Sequence, residues 1–340
     1  MINPKTRTLL LCLAAGTAAL SSLASFASKG VQPLVFERAI ALPGVTGRID
    51  HMDLDVQGAR LFVAALSSNA VEVVDLVAGK RTVELRPFRK PQGVRFVASI
   101  KRLFVANGDG GGVVAFADGA APAIGSVASL DDADNLRFDP SAGTLVAGFG
   151  EAIALIDPAS LRLSKTIPLA GHPEAFSIES SGRRIFVNVP TAGHVTVVDL
   201  EKGEVSATWP LGHASQNFPM ALDEAGSRLF VATRRLALLV VFDTTNGRRV
   251  AELPMCGDAD DLFFDVSRKQ VYAVCGQGVV DVFHQVDADH YEATARIATA
   301  AGARTGFFSP DRSTLYVAVP SRAGGQAEVR VYKVMAAATP

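Results

Sequence analysis

An all-β chain folded as a seven-bladed β-propeller of four-stranded antiparallel blades is what this sequence predicts, and three observations predict it. First, a short motif, usually aliphatic–aromatic–Val, starts at Leu61, Leu103, Leu145, Ile185, Leu229, Val271 and Leu315, so successive copies lie 42, 42, 40, 44, 42 and 44 residues apart. Second, each copy sits among four apolar runs of period two closed by turn residues, and no segment after residue 28 sustains a 3.6-residue apolar period. A unit of about 40–45 residues with four strands is a propeller blade, whereas solenoids use shorter periods and need capping repeats. Third, the seventh copy stops after its third run, Val329 to Lys333, while a spare run from Leu34 to Leu42 precedes the first copy. The spare run is expected to become the outer strand of blade seven, closing the ring and removing exposed sheet edges.

The elements follow in chain order. Lys5 and Arg7 precede an uncharged Leu- and Ala-rich stretch, Thr8 to Ser28, and Ser25-Phe26-Ala27 offers small residues at the −3 and −1 positions of a cleavage site. That is the layout of a secretory signal peptide, predicted over residues 1–27, with residues 28–340 forming one propeller domain in the periplasm or outside the cell. Leu11 before Cys12 argues against a lipoprotein anchor, and no later segment is apolar enough to span a membrane as a helix. Within each repeat an inner run such as Leu136 to Phe138 leads through a turn such as Asp223 to Arg228 into the motif. A third run, such as Val71-Glu72-Val73-Val74-Asp75 or Val195-Thr196-Val197-Val198-Asp199, usually ends in Asp. A further turn such as Glu201-Lys202-Gly203 leads to the outer run, Val205 to Leu211 in that blade.

Composition narrows the function classes. The 340 residues are 49% hydrophobic and 20% charged, which excludes a disordered polyelectrolyte, and by length alone two domains would be the prior. Lys and Arg number 33 against 34 Asp and Glu; loss of Lys5 and Arg7 with the leader leaves 31 against 34, a net −3. No basic excess points to nucleic acid or anionic lipid. The sequence lacks a G-x-S-x-G elbow, an H-E-x-x-H helix, a P-loop and a C-x-x-C-H haem site, and Gly108 to Gly112 lies in a hairpin turn with no helix behind it. A single tryptophan, Trp209, argues against quinoprotein propellers.

Phe104-Val105-Ala106-Asn107 and Phe186-Val187-Asn188, each preceded by a basic and an aliphatic residue, resemble the YVTN repeat. Ser68-Asn69 with Val71 to Asp75, and Leu169-Ala170-Gly171-His172-Pro173, resemble its other segments. The likeness covers residues 34–334 and implies a propeller of the exported bacterial YVTN (YncE-like) type, a resemblance specific for fold and poor for function.

Candidate site residues come from the repeat itself. Eleven residues before each motif stand Asp50, Gln92, Asp134, Glu174, Phe218, Asp260 and Arg304, followed by His51, Gly93, Asn135, Ala175, Pro219, Asp261 and Thr305. These positions open the innermost strands, so their side chains are expected around the mouth of the central channel. Four acids at one repeat position repel unless a cation or Arg304 neutralises them or one is protonated. The predicted ligand site is Asp50, His51, Gln92, Asp134, Asn135, Glu174, Asp260, Asp261 and Arg304, with Asp50, Asp134, Glu174 and Asp260 as candidate ligands for Ca²⁺, Mg²⁺ or Zn²⁺. The competing reading is a solvated rim of Asp residues capping backbone amides.

His172, His194 and His213 fall on the same face and are expected to be surface histidines. Cys256 and Cys275, also on that face, either pair or remain two buried thiols. The expected function is binding of a small polar ligand or a protein partner at the channel mouth by a monomeric protein, without catalysis. The alternative resembles the lactonase propellers, metal-dependent hydrolases in which a cation polarises a lactone carbonyl. A purely structural or adhesive role would need no site at all.

Overall fold

The computed structural model describes residues 32–322 and 325–336. The expected leader, 1–27, lies outside the described residues. Seven four-stranded antiparallel sheets follow one another around a ring, with strands numbered outward in chain order in six of them. The inner strands are Met52–Asp55, Pro91–Val97, Leu136–Asp139, Phe176–Ile178, Ser215–Asp223, Ala259–Asp265 and Gly306–Ser309. Blade seven is completed from the other end of the chain. Leu34–Ala41 pairs antiparallel with Glu328–Val334, from Leu34 opposite Val334 to Ala41 opposite Glu328. The spare run of the sequence therefore closes the ring.

The recurring motif is explained by where alternate side chains go. In blade one, Leu61 and Val63 pack toward blade seven with Tyr316 and Val329, while Phe62 between them packs toward blade two with Phe96 and Leu103. Leu229 and Val231 likewise face blade four, and Phe230 faces blade six. A strand buried on both faces needs apolar residues without alternation, and this is why the motif reads as a continuous run. The described residues form seven apolar clusters, each shared by two neighbouring blades. No blade owns a core, so the ring is the unit that buries apolar surface.

The Asp at the end of the third strand has a structural task. Asp75 Oδ1 accepts the N–H groups of Val77 and Ala78, both at 2.8 Å, and Asp157 Oδ1 accepts those of Ala159 and Ser160 at 2.9 and 2.7 Å. These are Asx turns that tie off the hairpins. Asp55, Asp139, Asp223 and Asp265, at the far ends of the inner strands, cap the following turns in the same way. The repeat's many carboxylates thus divide into turn caps and those at the opposite end of the inner strands.

Candidate functional site at the channel mouth

A β-bulge puts the candidate residues at the mouth. Asp50 N–H donates to Ala64 O (2.8 Å) while Ala64 N–H donates to His51 O (3.0 Å), so two inner residues oppose one. The same arrangement sets Asp134 and Asn135 against Gly148, and Glu174 and Ala175 against Asn188, with every bond at 3.0 Å. A regular strand would send consecutive side chains to opposite faces; the bulge lets both members of each pair reach the axial end. Neighbouring blades are tied there as well: His51 N–H donates to Gln92 O and Ala175 N–H to Phe218 O. Gly93 is required by this packing, because a Cβ there would stand 2.1 Å from the Asp134 carbonyl oxygen.

The acids are held in two groups. On one side Arg48 bridges Asp50 (3.1 Å) and Asp260 (3.6 Å), and Arg234 forms a close ion pair with Asp260 while lying 3.6 Å from the Phe218 ring centroid. Arg234 also approaches Asp258 (3.6 Å), which pairs with Arg304 at 3.0 Å. Arg304 therefore neutralises Asp258 rather than the ring of four acids; Arg48 and Arg234 face Asp50 and Asp260 instead. His51 Nδ1 lies 3.3 Å from Asp261, whose other oxygen accepts Gly306 N–H at 2.8 Å. Gln92 is occupied by its neighbour blade, donating to Ala133 O at 3.2 Å and Asp132 at 3.4 Å.

On the other side stand Asp134, His172 and Glu174, each offering one donor atom within 4.8 Å of the others. His172 Nδ1 donates to Gly150 O at 2.8 Å, and Nε2 faces Asp134 Oδ2 at 3.9 Å. A histidine anchored through Nδ1 to a backbone carbonyl with Nε2 turned to carboxylates is the arrangement metal-binding histidines use. Asn135, 1% exposed, donates weakly to Asp134 at 3.4 Å, and its buried Oδ1 has no hydrogen-bond partner among the described residues. Asp260 Oδ2 is likewise buried and without a hydrogen bond.

Crowding shifts the titrations. Burial pushes Glu174 up to about 8, reinforced by Asp134 and Asp260. Burial also raises Asp50 to about 7, with Asp134 and Asp260 adding to the shift and His51 and Arg48 opposing it. The Asp134 carboxylate facing its ring, with Glu174 adding to it, raises His172 to about 9 against the opposing effect of burial. Burial by itself would lower His51, but Asp261, Asp50 and Asp134 outweigh it and carry it up to about 10. The mouth holds protons more tightly than isolated side chains would.

His172 departs from the expected free surface histidine: its side chain is 25% exposed and is held through Nδ1 to Gly150 O of blade three. His194 and His213 do not join it: His194 Nε2 meets Thr196 Oγ1 (3.0 Å), and exposed His213 lies 3.5 Å from Glu252. Arg48 and Arg234 had no sequence signal beyond their closeness to inner strands. Cys256 and Cys275 form a disulfide, with Cα atoms 6.0 Å apart, behind the loop carrying Asp258.

No family model matches the chain. The protein YncE of Salmonella typhimurium is 25% identical to it over 200 residues, and YncE of Salmonella typhi 24%. The chain fits the YncE-like propeller family. The matched region spans 57% of this chain and only 56% of each relative. Among solved structures, a chain of Kuenenia stuttgartiensis hydrazine synthase superposes with a TM-score of 0.71 at 18% identity, over 81% of this chain and 95% of that one. A chain of the mitotic checkpoint complex gives 0.74 at 16% identity, over 97% and 99%. These two likenesses are of fold alone.

Proposed function

We propose that this protein is an exported binding propeller that takes a small polar ligand at its channel mouth, with a divalent cation held by Asp134, His172 and Glu174. The observation that carries this reading is the convergence of these three donors beside a cavity of about 320 Å³ lined by His51, Asn135 and Asp261. Carboxylates with one imidazole suit Zn²⁺ or Mn²⁺ better than Ca²⁺, for which an all-oxygen set is usual. Export is supported by the leader-like residues 1–27 and by the disulfide, a bond that persists in oxidising compartments.

Titration of the chelator-treated protein with Zn²⁺, Mn²⁺, Ca²⁺ and Mg²⁺, read by calorimetry and by Tm, tests it. One of these ions should bind with unit stoichiometry, and His172→Ala should abolish the heat. Absence of binding by all four would remove the cation from the proposal.

A second reading, a metal-dependent hydrolase resembling the lactonase propellers, is favoured by the number of donors. Three protein ligands leave coordination positions free, as catalytic sites do, and a cation there would polarise a carbonyl. Asp50, raised to about 7 by burial, is an acid of the same mouth poised to exchange a proton near neutrality. Chelator-sensitive lactone turnover would establish this reading, and metal binding without turnover would return the protein to the binder class.

A further inference from the structure

Below the mouth the channel is lined by a second ring of side chains, three residues further along each inner strand, that neither the repeat nor the cation explains. Blades one to four contribute Asp53, Arg95, Arg137 and Ser177; blades five to seven contribute Ala221, Phe263 and Phe307. One half of the ring is charged or polar and the other half apolar. Strand alternation sets this: Leu54, Phe96 and Phe176 pack between blades, while their odd-numbered neighbours line the channel.

The two arginines are under-used where they stand. Arg95 meets Asp53 through a single contact at 3.6 Å, and its Nε is buried without a hydrogen-bond partner among the described residues. Asp53 is itself engaged elsewhere, accepting Phe96 N–H at 2.6 Å. Arg137 donates to the Leu136 carbonyl at 2.8 Å and forms no ion pair among the described residues; its guanidinium lies 5.5 Å from the Phe176 ring centroid. Burial and the neighbouring Arg95 both disfavour the charge on Arg137. Arg95 and Arg137 line one cavity with Asp53 and Asp261, yet only Arg95 pairs with either carboxylate among the described residues, so donors remain for an incoming anion, and a carboxylate is the group their forks match.

We infer that the channel contains an anion subsite in which Arg95 and Arg137 clamp the carboxylate of a small organic acid whose apolar, ring-sized body rests against Ala221, Phe263 and Phe307. Ser177, between the two halves, supplies a hydroxyl to the same carboxylate. A cavity of about 320 Å³ is at the small end of the usual size of ligand sites. The acid need not cross the acidic mouth. A second cavity, of about 560 Å³ at the opposite end, is also lined by Asp53, Arg95 and Phe307, so Arg95 is reached from both ends and Arg137 from the mouth-side cavity. The subsite belongs to the same channel as the proposed mouth site and deepens that reading by naming the ligand as an organic carboxylate, but it does not depend on a cation being bound.

The test uses 4-fluorobenzoate as the probe, observed by fluorine NMR with the mature protein in chelator. Saturable broadening is expected for the acid and none for 4-fluorobenzyl alcohol, which has the same body without the charge. Formate should compete at least tenfold more weakly than benzoate, because it lacks the body. Arg137→Gln should weaken binding at least tenfold, and Phe263→Ala should weaken benzoate while leaving formate unchanged. If Arg137→Gln does not fold, Arg95→Lys, which keeps the charge and loses the fork, should still weaken binding several-fold. Equal broadening by acid and alcohol, or wild-type affinity in a folded arginine variant, would overturn the subsite. Because chelator is present throughout, failure here is distinguishable from failure of the cation titration.

Discussion

Removing the Cys256–Cys275 bond is the perturbation whose magnitude follows most directly from the structure. The bond closes a loop of 19 residues running from the entry of blade six to the end of its second strand. With the chain-entropy relation, a loop of that length constrains the unfolded chain by about 3 kcal/mol at 25 °C. For about 300 folded residues the entropy of unfolding is about 0.6 kcal/mol per kelvin, which converts the loss to about 5 °C in Tm. The assay is calorimetric melting of the wild type with and without reductant, beside the double variant Cys256→Ala/Cys275→Ala. Reduced wild type isolates the loop, since both sulfur atoms stay in place; the variant should melt lower still, because both side chains are buried. Thiol counting in denaturant should find neither cysteine free in the mature oxidised protein. Two free thiols would show that the bond does not form, and a Tm unmoved by confirmed reduction would show that it does not stabilise the ring. Cation affinity at Asp134, His172 and Glu174 should survive reduction, because the bond braces the Asp258 side of the mouth.

Further outcomes are expected from the packing and charge of the ring. Arg234→Ala leaves Asp260, 6% exposed, without its close partner, and unfolding in urea should show a loss of about 3–5 kcal/mol. Asp260→Asn in the same background should recover part of it. Trp209 lies between Phe186 and Phe242, at centroid distances of 5.2 and 5.8 Å, and Trp209→Ala should cost about 3–5 kcal/mol in the same assay. Stability in chelator should fall as pH rises. Asp50 keeps its proton in the folded state to about 7 against 3.8 for the free group, so its contribution is present at low pH and disappears between those values. His51, raised from 6.5 to about 10, has the same sign: its contribution is complete below 6.5 and lost on approach to 10. Tm measured across this range should decline, and Asp50→Asn should flatten the acidic half of the curve; a Tm that climbs with pH would contradict both assignments.

Much of the site was legible because a repeat is a ruler. The position eleven residues before each motif marks the same point on every inner strand, so Asp50, Asp134, Glu174 and Asp260 could be placed at one end of one channel without knowing any side-chain direction. Pairing within that end was not legible. His172 looks like any loop histidine until its Nδ1 finds Gly150 O, 22 residues away. Arg234 carries no sequence signal of its own until Phe218 and Asp260, from the adjoining inner strands, receive it. Arg95 and Arg137 stand where period-two alternation turns side chains into the channel. Their significance depends on which residues occupy the same level in the other blades.

The seven-blade ring, its closure by Leu34–Ala41, and the level at which acids gather can all be read along the chain, because strand period, turn chemistry and repeat length are local properties that summation around a ring makes unambiguous. Which charges meet is set by the three-dimensional packing of the blades. Ion pairs form between blades, Arg234 with Asp260 across 26 residues and Arg60 with Asp118 across 58, where a one-residue bulge or the angle of a loop chooses between contact and solvent. The fold is a sum of repeated local choices; the site is set by the few places where the repeats differ.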